Sequence, residues 1–157
     1  MFDENIFEIA YQLAESARGK TGINPFVGAV IAKDGRIIGK GCTQECGKNH
    51  AEIEALIAAG NGAQGADLYV TLEPCPMCAG AMVHARVKRL VFGAADLKTG
   101  AAGSVFNLLT HSALNHQVEI TGGVAQAQCS TQLSAFFKSR REHHKQQRAQ
   151  LTENSCD

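Results

Sequence analysis

The stretch Thr71-Leu72-Glu73-Pro74-Cys75-Pro76-Met77-Cys78, read together with His50-Ala51-Glu52 upstream, organises the interpretation of the whole chain. Cys75, Cys78 and His50 supply three metal ligands. Structural zinc sites use four protein ligands, whereas catalytic sites keep one position for water. The three ligands therefore predict a catalytic Zn²⁺ site with one ion per chain, in which the pKa of the bound water falls to about 7.

Glu52 is the acid expected beside this metal. If His50 opens a helix, Glu52 lies about 200° further around its axis, so the two side chains do not easily bind one ion. Glu52 is therefore predicted to be the general acid and base. Pro76 suits the first turn of a second helix, which puts Cys75 and Cys78 at a helix N-terminus, where the dipole favours thiolates.

Two further cysteines leave an alternative open, because Cys42 and Cys46 precede His50 closely and are either rival ligands or free thiols. The six cysteines show no framework of a small secreted domain. The chain has no apolar run near 18 residues and no basic start of a signal peptide. These features predict a cytoplasmic protein without a membrane segment.

Length and charge bound the remaining possibilities. The 157 residues predict one domain, residues 1–149, followed by a disordered tail at 150–157. The net charge is zero, with ten acidic against six basic residues up to position 75 and five against nine after it. This balance excludes a general polyanion binder, so any nucleic-acid surface must be local and is expected in the second half.

Periodicity predicts alternating helices and strands of an α/β fold. Apolar residues that recur three and four apart over positions 2–17 predict an amphipathic helix of about four turns that Asp3 can cap, and Asp34-Gly35 predicts a hairpin turn. A strand at 67–72, a helix at about 76–86 and a strand at 88–93 predict a right-handed crossover with parallel strands. The remaining elements expected are helices at 51–59, 105–109 and 127–147 and a fifth strand at 118–120.

The last predicted helix becomes basic along its length, with Lys138, Arg140, Arg141, Lys145 and Arg148 against Glu142. Two interpretations stay open. The cations either suit the negative pole of a solvated helix end or contact phosphates.

The order His-x-Glu, then Pro-Cys-x-x-Cys, is the signature of the zinc nucleobase deaminases, and the chain resembles the cytidine-deaminase-like family. Residues 68–148 resemble bacterial tRNA adenosine deaminases, which convert the wobble adenosine of an anticodon to inosine. The segments that carry this likeness are Pro74-Cys75-Pro76-Met77-Cys78-Ala79-Gly80-Ala81-Met82, Val91-Phe92-Gly93-Ala94, Asp96 with Lys98-Thr99-Gly100-Ala101-Ala102-Gly103-Ser104, Asn115-His116, Val118-Glu119-Ile120-Thr121 and Phe136-Phe137 with Arg140-Arg141.

The first half resembles a different branch. Asn24-Pro25-Phe26-Val27-Gly28, the Asp34-Gly35 turn and residues 58–66 resemble the pyrimidine deaminase domain of bifunctional riboflavin-biosynthesis enzymes, although those usually separate their zinc cysteines more widely. At the position of Thr43 the tRNA enzymes usually carry asparagine and the riboflavin enzymes histidine, so Thr43 fits neither pattern and bears on base choice. Such a mosaic belongs to a divergent natural enzyme or to a recombinant.

The resemblance implies a three-layer αβα sandwich on a five-stranded mixed sheet, and a homodimer in the tRNA branch. It also implies that Glu52 transfers protons while hydroxide attacks C6 of adenine, or C4 of a pyrimidine. Substrate contacts are expected from the pocket and from the last helix. They are the backbone at Ala51 and Pro74, the side chains Asn24, Thr43 and Asp96, a stacking ring at Phe137, and phosphate pairing by Arg140 and Arg141.

Three functions are open at this point. The first is deamination of the wobble adenosine, with a tRNA anticodon stem-loop as partner. The second is a small-molecule deaminase acting on guanine, cytosine or a riboflavin-pathway aminopyrimidine. The third is a zinc-stabilised nucleic-acid-binding module without catalysis, which needs neither Glu52 nor an open coordination position.

Overall fold

A five-stranded sheet with helices on both faces forms the core of this computed structural model, which describes residues 1–45 and 47–155. The strands lie in the order β2-β1-β3-β4-β5. The elements are α1 (Glu4–Ser16), β1 (Gly28–Lys33), β2 (Arg36–Cys42), α2 (Ala51–Ala59), β3 (Asp67–Leu72), α3 (Pro76–His84), β4 (Arg89–Ala94), β5 (Glu119–Thr121) and α4 (Gln126–Asn154), with a short 3₁₀ turn at Gly60–Ala63.

The sheet is mixed, as predicted. β1 pairs antiparallel with β2 and with β3, whereas β3 and β4, and β4 and β5, are parallel. The β1-β2 hairpin turns at Asp34 (φ 52°) and Gly35 (φ 76°), and two positive φ angles are what a type I′ hairpin turn requires. The chain crosses from β3 to β4 through α3, so the predicted parallel pairing of these two strands is confirmed.

Successive strand residues bury opposite faces of the sheet, which creates two cores. Val30, Tyr69 and Val91 point to the side covered by α1 and by Cys129 of α4. The other face packs against α2 and α3, and its members include Ala29, Ile31, Ala55, Leu68, Val70, Ala79, Met82, Leu90 and Phe92. This arrangement confirms the three-layer αβα sandwich.

Two glycines let α2 lie directly against β2. A Cβ atom at Gly39 would overlap the carbonyl oxygen of Ala55, and one at Gly41 would overlap that of Ala51. Only a residue without a side chain permits this approach. The contact fixes the N-terminus of α2, and with it His50, beside the end of the sheet.

Two sequence-based expectations need correction. Residues 105–109 form no helix; they lie in a loop closed by a bridge between Ala102 and Asn107 and by the Gly103 N–H donating to the Phe106 carbonyl. α4 continues to Asn154, so the disordered tail is wrong for residues 150–154, since the sequence after 147 contains no glycine or proline to stop a helix. Residues 156–157 of that tail lie outside the described part of the chain. Among the described residues, no helix is both long enough and apolar enough to cross a bilayer.

Candidate active site

Two helix N-termini meet at the end of β3 and carry the predicted ligands. His50 is the N-cap of α2 (φ −69°, ψ 161°), and Cys75 is the N-cap of α3 (φ −74°, ψ 170°) with Pro76 in the first turn. Cys78 lies in the first turn of α3 and is fully buried. Both helices therefore point their positive ends at the thiol groups, which stabilises thiolate.

The three side chains have the spacing of a metal site. His50 Nδ1 lies 3.7 Å from Cys75 Sγ and 3.4 Å from Cys78 Sγ, and all three ligand atoms lie within 4.8 Å of one another. Tetrahedral zinc, with Zn–S near 2.3 Å and Zn–N near 2.0 Å, requires an N···S separation of about 3.5 Å. The donor set and its geometry therefore fit Zn²⁺.

The charges of the two thiols depend on each other. A hydrogen bond from Cys78 lowers the pKa of Cys75 to about 4, and the same contact, followed by burial, raises the pKa of Cys78. The hydrogen bond to Cys75 raises the pKa of His50. The pKa values of the two thiols therefore shift in opposite directions, and a divalent cation is the partner that stabilises both as thiolates.

Glu52 is the second residue of α2, in its first turn, and is 5% exposed. Burial raises the pKa of its carboxyl group to about 7, and the nearby His50 opposes that rise. Glu52 does not belong to the cluster of ligand atoms formed by His50, Cys75 and Cys78. It lines the same cavity as His50 and Cys75. A carboxyl group in this position can both accept and donate a proton near neutral pH.

A cavity of about 200 Å³ opens in front of these groups. Residues from the loop before β1, the end of β2, both helix starts and the loop after β4 line it. They are Asn24, Pro25, Val27, Thr43, His50, Glu52, Leu72, Glu73, Cys75, Asp96 and Thr99. The structure thus brings the three predicted pocket side chains, Asn24, Thr43 and Asp96, together with the ligands and Glu52.

Thr43 and Asp96 have defined hydrogen-bond roles within the protein. The Thr43 hydroxyl accepts from the Val27 N–H at 2.9 Å and donates to the Val27 carbonyl at 3.5 Å, so its second lone pair and its methyl group are what it can present to a ligand. The Asp96 carboxylate accepts from the N–H groups of Lys98 and Thr99 and from the Thr99 hydroxyl. Asp96 therefore shapes the cavity wall as well as lining it.

Ala51 and Pro74 contribute through the backbone. Both are buried, and Ala51 occupies the first position of α2, where N–H groups have no partner within the helix. The Pro74 carbonyl accepts from Ala101 N–H at 2.8 Å and retains one lone pair. Neither side chain lines the cavity.

The three predicted residues of α4 lie outside the cavity. Phe137 is 38% exposed, and Lys98 of the loop after β4 places its Nζ 5.5 Å from the centre of that ring. Arg140 borders a separate cleft that also contains Arg18, and Arg141 is exposed. Of these three residues of α4, Phe137 is thus the one that contacts the loop of Asp96, through Lys98.

Glu73 and Thr99 also line the cavity, although no sequence pattern predicts a role for either residue. Glu73 is 2% exposed, although it is charged. A carboxylate at the end of an otherwise apolar strand, directly before Pro74, was the signal that could have identified it. Buried carboxylates need several hydrogen-bond donors, and these come from residues that are distant in sequence.

Of the two rival thiols, Cys42 does not join the cluster of ligand atoms; its sulfur lies 4.0 Å from the Gln44 side-chain amide. Cys46, the other candidate, lies outside the described residues. The prediction for Cys46 therefore stays a prediction.

Comparison with known proteins gives one family. The cytidine and deoxycytidylate deaminase zinc-binding region matches residues 1–94. The tRNA-specific adenosine deaminase of Haemophilus influenzae is 47% identical, with 96% of this chain and 91% of the relative covered. Since that alignment includes both halves, the likeness to tRNA enzymes extends beyond residues 68–148.

Two solved structures share the fold. RibD of Acinetobacter baumannii superimposes with a TM-score of 0.73 and 34% identity over 85% of this chain, which spans 38% of the RibD chain. A structure from work on A-to-I editing by tRNA:A34 deaminases gives a TM-score of 0.72 and 34% identity, covering 83% of this chain and 100% of that one. Both resemblances expected from the sequence are therefore confirmed.

Proposed function

This chain belongs to the cytidine and deoxycytidylate deaminase family and is a deaminase, and we propose that it converts the wobble adenosine of a tRNA anticodon loop to inosine. The observation that carries the proposal is the 47% identity to a tRNA-specific adenosine deaminase over 96% of the chain. Family membership also favours catalysis over a zinc-stabilised binding module. A tRNA substrate implies the cytoplasm as the site of action.

We propose that one Zn²⁺ is held by His50, Cys75 and Cys78. The N···S distances of 3.4 and 3.7 Å support this assignment. When bound by three protein ligands, zinc keeps a position for water and lowers the pKa of that water toward 7. The two helix N-termini orient the ligands and add their positive ends to the charge of the ion.

Glu52 is assigned the proton transfers. It takes a proton from the attacking water and gives it to the ring nitrogen N1 as the new C6–O bond forms. It then moves the second proton to the amino group, and ammonia leaves as the C6–N bond breaks. Water and adenosine are consumed, and inosine and ammonia are produced. Its burial in the cavity wall keeps bulk water from competing for these protons.

The cavity limits what can enter. A volume of about 200 Å³ accepts a single base, not a stacked pair, so the target base must be splayed out of its stack. A flexible anticodon loop allows this more readily than a duplex. Asn24, Thr43 and Asp96, with the backbone at Ala51 and Pro74, are assigned to the base and its sugar.

Contacts beyond the base are assigned to α4. Phe137 is half-exposed and lies near Lys98 at the edge of the Asp96 loop, where a flanking base can stack on its ring. Arg140 and Arg141 follow one turn later and are assigned to flanking phosphates. Of the two interpretations of the basic helix end, this one agrees with an RNA substrate.

A homodimer is part of the proposal. Large apolar side chains are exposed on α2, on α3 and in the loop after β4, and burial of such surface is what favours association. They include Ile57, Met77, Leu97, Val105 and Phe106. Sedimentation equilibrium should give twice the monomer mass; a monomer at micromolar concentration would contradict this.

A small-molecule deaminase is the second candidate, and the structural likeness to RibD supports it. The deciding experiment incubates the enzyme with an anticodon stem-loop RNA and measures inosine by nuclease digestion and mass spectrometry. Parallel reactions measure ammonia from guanine, cytosine and an aminopyrimidine. Inosine in the RNA supports the proposal; turnover of a free base without inosine would replace it by the second candidate.

A further inference from the structure

Glu73 is a buried carboxylate whose hydrogen-bonding capacity is fully used by one loop. Its Oε1 accepts from the N–H groups of Ala102 and Ser104, each at 3.0 Å. Its Oε2 accepts from Asp96 N–H at 2.9 Å and from the Ser104 hydroxyl. A carboxylate has about four acceptor sites, so these four bonds leave it none for a ligand.

The loop held in this way forms the far wall of the cavity. Asp96 and Thr99 line the cavity, and their mutual hydrogen bonds make the wall a rigid turn. The neighbouring Lys98 reaches the Phe137 ring on α4. Glu73, directly after β3, thus holds the loop by hydrogen bonds and thereby positions both the cavity wall and its contact with α4.

The fit around the carboxylate is tight. A Cβ atom at Gly100 would overlap Glu73 Oε2 and the Asp96 carbonyl oxygen. The adjacent Pro74 carbonyl accepts from Ala101 N–H and joins the loop to the same strand end a second time. Because the interior is this closely packed, displacing the carboxylate displaces the loop.

We propose that Glu73 is a positioning residue that fixes the wall at residues 96–99 and thereby determines how tightly the substrate base is held. It acts through the loop and takes no part in proton transfer. None of the groups that donate to Glu73 belongs to Glu52 or to the three ligands, which lie at the starts of α2 and α3. Loss of Glu73 therefore raises KM much more than it lowers kcat. The choice of an anticodon stem-loop as the test substrate rests on the proposed function.

The test is Glu73→Gln, which keeps the shape but turns an amide NH₂ toward N–H and O–H donors, so two of the four hydrogen bonds lose their acceptor. KM for the anticodon stem-loop should rise about tenfold or more, while kcat stays within about threefold of wild type. Hydrogen exchange at the amides of Asp96, Ala102 and Ser104 should accelerate. Bound zinc should remain one per chain.

Two other variants approach the same contact from the loop. Ser104→Ala removes one hydrogen bond and should change KM in the same direction by a smaller factor. Gly100→Ala leaves Glu73 intact but pushes against its Oε2, and should also raise KM. Glu54→Gln, on α2, is the control and should match wild type.

Unchanged KM in Glu73→Gln and Gly100→Ala would overturn the proposal, as would a kcat loss as large as the KM change. If Glu73→Gln fails to fold, Ser104→Ala decides: unchanged KM and unchanged exchange overturn the proposal. Should wild type act on a free base instead of RNA, the same comparison is made with that base. An incorrect proposed substrate then shows as inactivity of the wild-type enzyme on the RNA. An incorrect role for Glu73 shows as an unchanged KM in the variants.

Discussion

His50 Nδ1 lies 3.4 Å from Cys78 Sγ although the two residues are 28 positions apart in the chain. The contact exists because α2 and α3 begin at the same end of the sheet, so that their N-terminal residues are neighbours. Each helix brings one part of the donor set, and neither part can hold an ion alone.

The first prediction concerns metal content. Cys75→Ser, Cys78→Ser and His50→Ala should each reduce zinc from one per chain to a small fraction, because a site with two protein ligands binds far more weakly. Elemental analysis of the purified protein measures this. Cys42→Ser is the matched control and should keep full zinc. Loss of zinc in Cys46→Ser would instead support that residue as the rival ligand.

The second prediction concerns proton transfer. Glu52→Gln keeps the size of the side chain but cannot carry the protons, so kcat should fall by about 10²- to 10⁴-fold on every substrate. Zinc content and thermal stability should stay near those of wild type. Glu54→Gln, two residues further along α2, serves as control. Activity close to wild type in Glu52→Gln would remove Glu52 from the mechanism.

RNA binding provides the third prediction. Arg140→Ala combined with Arg141→Ala should weaken binding of a stem-loop and reduce the slope of log K against log salt by about 1.4, since each lost phosphate contact contributes about 0.7 for single strands. Fluorescence anisotropy at several salt concentrations measures both quantities.

The control for that experiment is Lys33→Ala, which removes a cation at the opposite end of β1, where its Nζ bonds the Gln64 carbonyl. It should leave the salt slope unchanged. A double arginine variant with the slope of wild type would make those arginines a solvated helix end, which is the alternative interpretation of the sequence.

The fourth prediction tests the close packing of α2 against β2. Gly41→Ala introduces a Cβ that overlaps the Ala51 carbonyl oxygen, and the free energy of unfolding should fall by about 1 to 3 kcal/mol. Gly80→Ala, inside α3, meets no atom within 4 Å and should raise it by up to about 1 kcal/mol through helix propensity. Urea denaturation distinguishes the two signs. A neutral Gly41→Ala would show that α2 can move away from β2 at little cost.

Much of the fold could be predicted because its signals are local. The bounds of α2 and β3 match the predicted 51–59 and 67–72, since Gly60 and the prolines around Cys75 punctuate the chain there. The hairpin at Asp34-Gly35 is set by two residues that accept positive φ. The helix predicted at 105–109 was wrong because loop backbone groups bond to residues that local propensity does not take into account.

By itself the sequence determined which residues are candidate ligands and their order, because residue type and spacing along the chain are read directly from it. Tertiary structure alone decided that Glu73 holds the loop of Asp96, that Phe137 meets Lys98 while Arg140 borders another cleft, and that Thr43 bonds the backbone of Val27. Those contacts join residues brought together by strand pairing and helix packing. Their partners depend on the register and docking of whole elements, which local sequence patterns do not encode.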